Sequence, residues 1–400
     1  MNKRTLWIRP ASFVRRGSAA LSYIPVRRNG VKFIIRNKRA WYILLLAALS
    51  VAIVLLWRER FVMEKSSPTA VFIEEHMTNP NGTLATYLKD AVSERADIVA
   101  GREALSESLG LWMQYALAMN NEPLFQKAYT QLQTYYVIRP DLYIAWKLDT
   151  QGKAHVATNA LGDDLRIMGA LLQAADRWEQ GRADKLATAS ALARTLTQRT
   201  EQRGYMVDFY DFAGRHSTNT LSLVYIDLLA LKAMKDHQLL EANAYERYVS
   251  VLHKMPDDGL FYPKSFDVVN EMYTYDAKVN LIDQLIVANH MLESGSRPDK
   301  LIAFLKKEFD TRGHLPGQYE RTTRTPAVDY ESSSVYGLTM LLAVRSGDDA
   351  WAKQLYKHMV TLRGQDSRYP GGYVFDGNTH LFDNLFPLLG ETALYNLLKK

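Results

Sequence analysis

Gly162-Asp163-Asp164-Leu165-Arg166-Ile167-Met168-Gly169-Ala170-Leu171-Leu172-Gln173-Ala174-Ala175 sets two acids immediately ahead of an apolar row. Leu165, Met168, Leu171, Leu172 and Ala175 recur at three- and four-residue spacing, the period of a helix that buries one face. Two other stretches share this build. Ser106-Glu107-Ser108-Leu109-Gly110 leads into the row Leu105, Leu109, Trp112, Met113, Ala116 and Leu117, and Tyr273-Thr274-Tyr275-Asp276-Ala277 stands before a helical pattern over 278–293. Three acidic segments, distant in sequence and each at a helix start, are able to meet at one end of a helical barrel.

Further helices are expected near 83–95, 122–136, 184–200, 217–235, 240–253, 298–309, 333–346, 348–362 and 384–399, twelve in all. Short strand-like pieces punctuate them, among them 142–148 and 205–210. Twelve helices of ordinary length fit an alternating inner and outer ring, so the expected fold is all-α, an (α/α)6 barrel with short strand-like loops.

The net charge of +6 averages two unlike regions. Residues 1–39 hold eleven Lys or Arg and no acid, whereas the long part of the chain is net acidic. Between them Ala40 to Trp57 is an uncharged run, about the minimum length of a spanning helix, with Trp41, Tyr42 and Trp57 where interfacial aromatics belong. A cleaved signal peptide is the competing reading. A basic lead of this length is long for one, and neither a small-residue cleavage site nor a lipobox cysteine follows Trp57. The expected organisation is a basic cytoplasmic segment (1–39), one transmembrane signal-anchor (40–57), a tether (58–81) broken by Pro68 and Pro80, and a single domain (82–400) outside the cell. The acidic bulk argues against nucleic acid as a partner of that domain.

Other chemistries return negatives. The chain has no cysteine, which excludes disulfides, thiolate metal sites and a cysteine nucleophile. It has no Gly-rich phosphate loop, no His-Glu-x-x-His motif, no Gly-x-Ser-x-Gly elbow and no calcium loop, and its nine histidines stand singly. Neither a metal nor a cofactor is expected. The aromatic content of 11% leaves Tyr and Trp to spare for stacking on sugars, although core duty is the commoner use.

Taken one at a time, the acids have bland readings. Glu107 follows Ser106, a helix-capping residue type, and complements the helix dipole; Asp164 and Asp276 equally suit caps. Order and neighbours change the weighting. Ser106-Glu107-Ser108 with Gly110 and Met113 resembles the first motif of glycoside hydrolase family 8, Ser-Glu-Gly followed by Gly and Met. Gly162-Asp163-Asp164-Leu165-Arg166-Ile167, closing with Ala174-Ala175-Asp176-Arg177-Trp178, resembles its second, Asp-Gly-Asp-Leu-Asp-Ile-Ala with Ala-x-Asp-x-Trp. Tyr275-Asp276-Ala277-Lys278-Val279 resembles its third, Tyr-Asp-Ala-x-Arg. The resemblance covers about residues 82–395.

The resemblance implies an (α/α)6 barrel that cleaves β-linked polysaccharide with inversion. It makes Glu107 the acid, Asp276 the base and Asp164 the residue that binds and distorts the sugar. Tyr275 would position the water. Trp146 is a candidate stacking platform, and Trp112, Asp163 and Tyr273 complete the candidate substrate-binding set. Inversion needs the two carboxyls roughly 6.5–9.5 Å apart, with the acid's pKa raised and the base's kept low. Three positions depart from the pattern: Ser108 for glycine, Gly162-Asp163 for Asp-Gly, and Val279 where an arginine partner of the base is expected. Lys278 is adjacent but lies about 100° away on a helix.

The resulting expectation is a membrane-tethered extracellular glycoside hydrolase acting on an exopolysaccharide, in association with a polysaccharide synthase complex. The alternative is a catalytically inactive relative that binds glycan or a polysaccharide-synthesis partner.

Overall fold

A computed structural model describes residues 67–399 apart from 96. The basic segment, the span expected over 40–57 and the first part of the tether, 58–66, lie outside the described residues. Among the described residues no helix is long and apolar enough to cross a membrane.

Twelve α-helices alternate along the described chain: α1 Pro68–His76, α2 Ser106–Ala118, α3 Glu122–Gln131, α4 Leu161–Arg177, α5 Arg182–Thr195, α6 Leu228–Asp236, α7 Ala242–His253, α8 Leu281–Glu293, α9 Asp299–Arg312, α10 Ser333–Arg345, α11 Asp349–Met359 and α12 Phe382–Leu398. The even-numbered helices form a closed inner ring, each packed on the next and α12 back on α2. The odd-numbered helices lie outside. The inner α2 and α4 bury ten of thirteen and thirteen of seventeen positions, while the outer α9 buries only Leu301, Leu305 and Phe309.

Local chemistry sets the boundaries. The Ser67 hydroxyl accepts from the Thr69 N–H with Pro68 at the first position, Asn121 caps α3 and Asp348 caps α11, each satisfying an otherwise orphaned N–H. Gly313, at φ 76°, ends α9 in the left-handed region. The closest helix crossing joins α10 to α12, where a Cβ on Gly337 would fall 2.3 Å from the Phe386 carbonyl oxygen.

Two sequence expectations are corrected. Pro68–His76 falls in the stretch read as tether yet is helical and buries Thr69, Ala70, Phe72 and Ile73. Residues 83–95 are not a helix. Leu84 and Ala85 bridge to Thr78 and Ala104, and the Arg102 guanidinium donates to the carbonyls of His76, Thr78 and Leu88, so this segment's polar groups find tertiary partners instead of i+4 ones.

The long connections that lead into the inner helices carry short antiparallel pairs. β1 (Ala104–Leu105) pairs with β4 (Lys147–Leu148), β2 (Val137–Ile138) with β3 (Tyr143–Ile144), β5 (Glu201–Gln202) with β6 (Tyr205–Met206), β7 (Tyr210–Asp211) with β8 (His216–Ser217) and β12 (Lys278–Asn280) with β13 (Gln318–Glu320). β9 (Thr220–Ser222), β10 (Ser265–Asp267) and β11 (Met272–Thr274) form a three-stranded sheet with β10 in the middle. The helix expected over 217–235 is therefore split into β9, a 3-10 turn at Leu223–Tyr225 and α6. These connections gather at the end of the barrel where the inner helices begin.

Candidate active site

Glu107 sits in the first turn of α2, delivered there by the β1–β4 pair. Ser106 does not cap the helix: the N-cap is Leu105, and the Ser106 hydroxyl instead donates to Asp163 Oδ2 at 2.5 Å. Asp163 occupies the first turn of α4, which begins at Leu161 and not after Asp164. Between the two carboxylates lies the Arg166 guanidinium, its Nη1 3.4 Å from Glu107 Oε1 and 3.9 Å from Asp163 Oδ1. That nitrogen is buried and makes no hydrogen bond to a described residue. Gly110 provides the room, since a Cβ there would fall 3.1 Å from Arg166 Cδ. Gly162 does the same for Tyr225, whose ring atoms would lie 2.2–2.9 Å from an added Cβ.

The electrostatics follow from this burial. Burial pushes the Glu107 carboxyl above its usual range, the Arg166 charge opposes it, and the Asp283 carboxylate adds to it. Asp163 is pushed up to about 7 by burial and by Glu107, against Arg166 and the Ser106 hydroxyl. Tyr225 is raised by burial, with Asp163, Glu107 and Asp208 adding, so its phenol lies within reach of the cluster. Asp208 in turn accepts from the Ser222 N–H and hydroxyl at 2.6 and 2.7 Å, which fixes β9 at the rim.

Asp276 approaches from the opposite side, in the connection between β11 and β12. Its Oδ2 lies 2.9 Å from Lys264 Nζ. Asp283, in the first turn of α8, links the two halves: burial raises its carboxyl, Lys264 opposes and Asp276 adds. Glu107, Asp163, Asp283 and Asp276 thus form one chain of interacting carboxylates with Arg166 and Lys264 as the cations.

Asp164 feels the neighbouring Asp163 charge, which adds to the burial that raises its carboxyl, but its side chain points away from Glu107. Its carboxylate is 2% exposed as a residue, accepts from Asn159 Nδ2 at 2.6 Å, and faces Tyr143, Leu192, Leu196 and Phe212 between α4 and its outer neighbours. Adjacent residues on a helix point about 100° apart, and tertiary packing turned Asp163, not Asp164, to Glu107. Three aromatic assignments are also corrected. Trp112 is core, 5.1 Å from the Tyr115 ring. The Tyr273 hydroxyl donates to the Val251 carbonyl at 2.6 Å, and the Tyr275 hydroxyl to the Pro256 carbonyl at 2.9 Å beneath the Arg321 guanidinium, so neither phenol turns to the acids. Trp146 stays at the rim, half-buried, its carbonyl accepting from the Ser106 N–H at 3.0 Å. Lys278 lies in strand β12, not on a helix, and pairs with Glu320 at 3.4 Å, while Val279 is buried opposite Tyr319.

Sequence reasoning missed Asp283, Arg166, Tyr225 and Lys264. Asp283 carried a signal, being a first-turn acid of the same kind as Glu107. The other three are defined only by contacts across the barrel. Below the cluster a cavity of about 110 Å³ follows the barrel interior, with a His290–Glu293–Arg345 network at its far end (2.9 and 2.8 Å). Among the described residues no group of His, Asp or Glu is arranged to hold a metal ion.

No family model matches the chain. A family 8 glycosyl hydrolase, the endoglucanase Cel10 of Klebsiella pneumoniae, shares the fold at a TM-score of 0.55 and 15% identity, over 84% of this chain and all of that one. The structure of a novel α-amylase from Clostridium perfringens superposes at a TM-score of 0.72 with 27% identity, covering 81% of this chain and 96% of that chain. The likeness is one of fold: the chain is an (α/α)6 barrel of the kind the family 8 glycosyl hydrolase adopts. The putative lipoprotein YdaJ of Bacillus subtilis (strain 168) is 37% identical over 332 residues, 82% of this chain and 87% of that protein. The protein belongs to the family of YdaJ.

Proposed function

We propose that the protein is a glycoside hydrolase that cleaves a polymeric glycan outside the cell, with Glu107 as general acid and Asp276 as general base. The observation that carries this reading is the Glu107–Arg166–Asp163 arrangement at the mouth of the barrel. Burial raises the Glu107 carboxyl, the direction in which a general acid is tuned. As Glu107 gives its proton to the leaving glycosidic oxygen, Arg166 at 3.4 Å stabilises the carboxylate that forms. Asp276 takes a proton from water as the water oxygen bonds to the anomeric carbon and the carbon–oxygen bond to the leaving sugar breaks, which inverts that centre. Asp163, and not Asp164, is then the residue beside the sugar, and the Trp146 ring is the stacking surface.

Membrane attachment is supported by the apolar run over 40–57 and by the description of YdaJ as a putative lipoprotein. An α-amylase and a family 8 endoglucanase share this barrel, so the fold serves both anomeric linkages, and linkage is a matter for assay. The test incubates the purified full chain with β-glucans, xylan, chitosan, starch and secreted biofilm polymer and measures new reducing ends. Cleavage of one of them, abolished by Glu107→Gln, supports the reading. Binding without cleavage, unchanged in that variant, overturns it in favour of a glycan-binding relative.

A further inference from the structure

The middle strand of the three-stranded sheet reaches both halves of the site. Lys264 immediately precedes β10, and its backbone is fixed on both sides: its N–H donates to the Thr274 carbonyl at 2.8 Å, and its carbonyl accepts from the Leu223 N–H at 2.9 Å. Thr274 ends β11, two residues before Asp276. Leu223 begins the 3-10 turn that carries Tyr225. Lys264 is thereby anchored between the strand that delivers Asp276 and the turn that delivers Tyr225, with its ammonium 2.9 Å from Asp276 Oδ2. Lysine and aspartate remain 55% and 41% exposed, open to solvent as groups that meet a substrate must be.

The other cations on this side are engaged elsewhere. Lys278 pairs with Glu320, Arg321 with Asp258 while stacking on Tyr275, and Arg166 with Glu107 and Asp163. Lys264 is thus the cation paired with Asp276 from the β11–β12 connection.

We infer that Lys264 is a positioning residue, holding Asp276 in place on the water side of the cleft. The inference rests on the reading of Asp276 as the base. In it, the sheet supplies across strands the cation that the motif comparison places at Val279. An exposed ion pair contributes little to stability, so the role of Lys264 is orientation and charge, and its removal leaves the fold intact.

The test compares the full chain with Lys264→Gln and Lys264→Arg. On whichever polymer is cleaved, Lys264→Gln is expected to lower kcat about tenfold or more with KM changed less than about threefold, an order of magnitude in keeping with a misplaced base. Lys264→Arg is expected to restore most of the kcat lost in Lys264→Gln, and an unchanged kcat in Lys264→Gln overturns the inference. A second readout is independent of turnover: the carboxyl-carbon NMR resonance of Asp276 in aspartate-labelled protein, assigned with Asp276→Asn. Removal of the lysine is expected to displace that resonance and Lys264→Arg to return it towards its wild-type position, and an unaltered resonance overturns the pairing. Absence of cleavage on every polymer defeats the hydrolase reading alone, because the resonance still decides the role of Lys264.

Discussion

Glu107 and Asp163 share one guanidinium, and this sharing sets what single substitutions at the cluster do. Glu107→Gln removes the transferable proton while keeping size and polarity. It is expected to lower kcat by ~10²–10⁴-fold with an unchanged thermal midpoint, read by reducing-end assay and calorimetry. Asp163 has a folded-state pKa raised from 3.8 to about 7, so its contribution to stability is fully present at low pH and is lost as pH rises from about 4 to 7. Asp163→Asn is expected to flatten that part of the stability curve, measured as thermal midpoint against pH. A decline of the same slope in the variant contradicts this account. At this scale the sequence exposed Glu107 and Asp276 through motif order but could not choose between Asp163 and Asp164. Both are acids at the start of one helix, and only the position of α2 and α5 on either side separates them.

Elements in this barrel meet where glycines permit it. A Cβ on Gly337 collides with the backbone of α12, which cannot yield as a side chain does, so Gly337→Ala is expected to destabilise by about 1–3 kcal/mol or more, seen as a lowered urea midpoint. Gly162→Ala meets the Tyr225 ring instead. A ring can swing away, and the expected result is a stable protein with reduced kcat, because Tyr225 lies among the acids. Equal losses of stability in the two variants contradict this distinction. Helices with a strong apolar period were legible, as over 165–175, whereas the connections were not. The strands β9 and β12 lie inside stretches with helical apolar spacing, and their pairing with β10 and β13 overrode local preference. The reverse happened at Pro68–His76, where polar flanks hid a helix that packs onto the barrel.

At the scale of the whole described domain, six inner helices start at one end, so acids far apart in sequence converge there. Inversion predicts that the first product released has the anomeric configuration opposite to that of the bond cleaved, read by proton NMR in the first minutes of reaction. Retention of configuration contradicts the roles given to Glu107 and Asp276. Chelation by EDTA is expected to leave the rate unchanged, since each step uses only carboxyls, water and fixed cations.

The sequence by itself determined the mainly helical class, eleven of the twelve described helices and the place of Glu107 at a helix start, because apolar period and motif order are properties of neighbours along a chain. It also named Glu107 and the Asp276 segment. Only the tertiary structure decided that Asp163 faces the cleft and Asp164 the wall, that Tyr273, Tyr275 and Trp112 serve the scaffold, and that Asp283, Arg166, Tyr225 and Lys264 join the site. Which way a side chain points, and which charge stands opposite it, depends on helices and strands brought together from distant parts of the chain, and no local pattern encodes that.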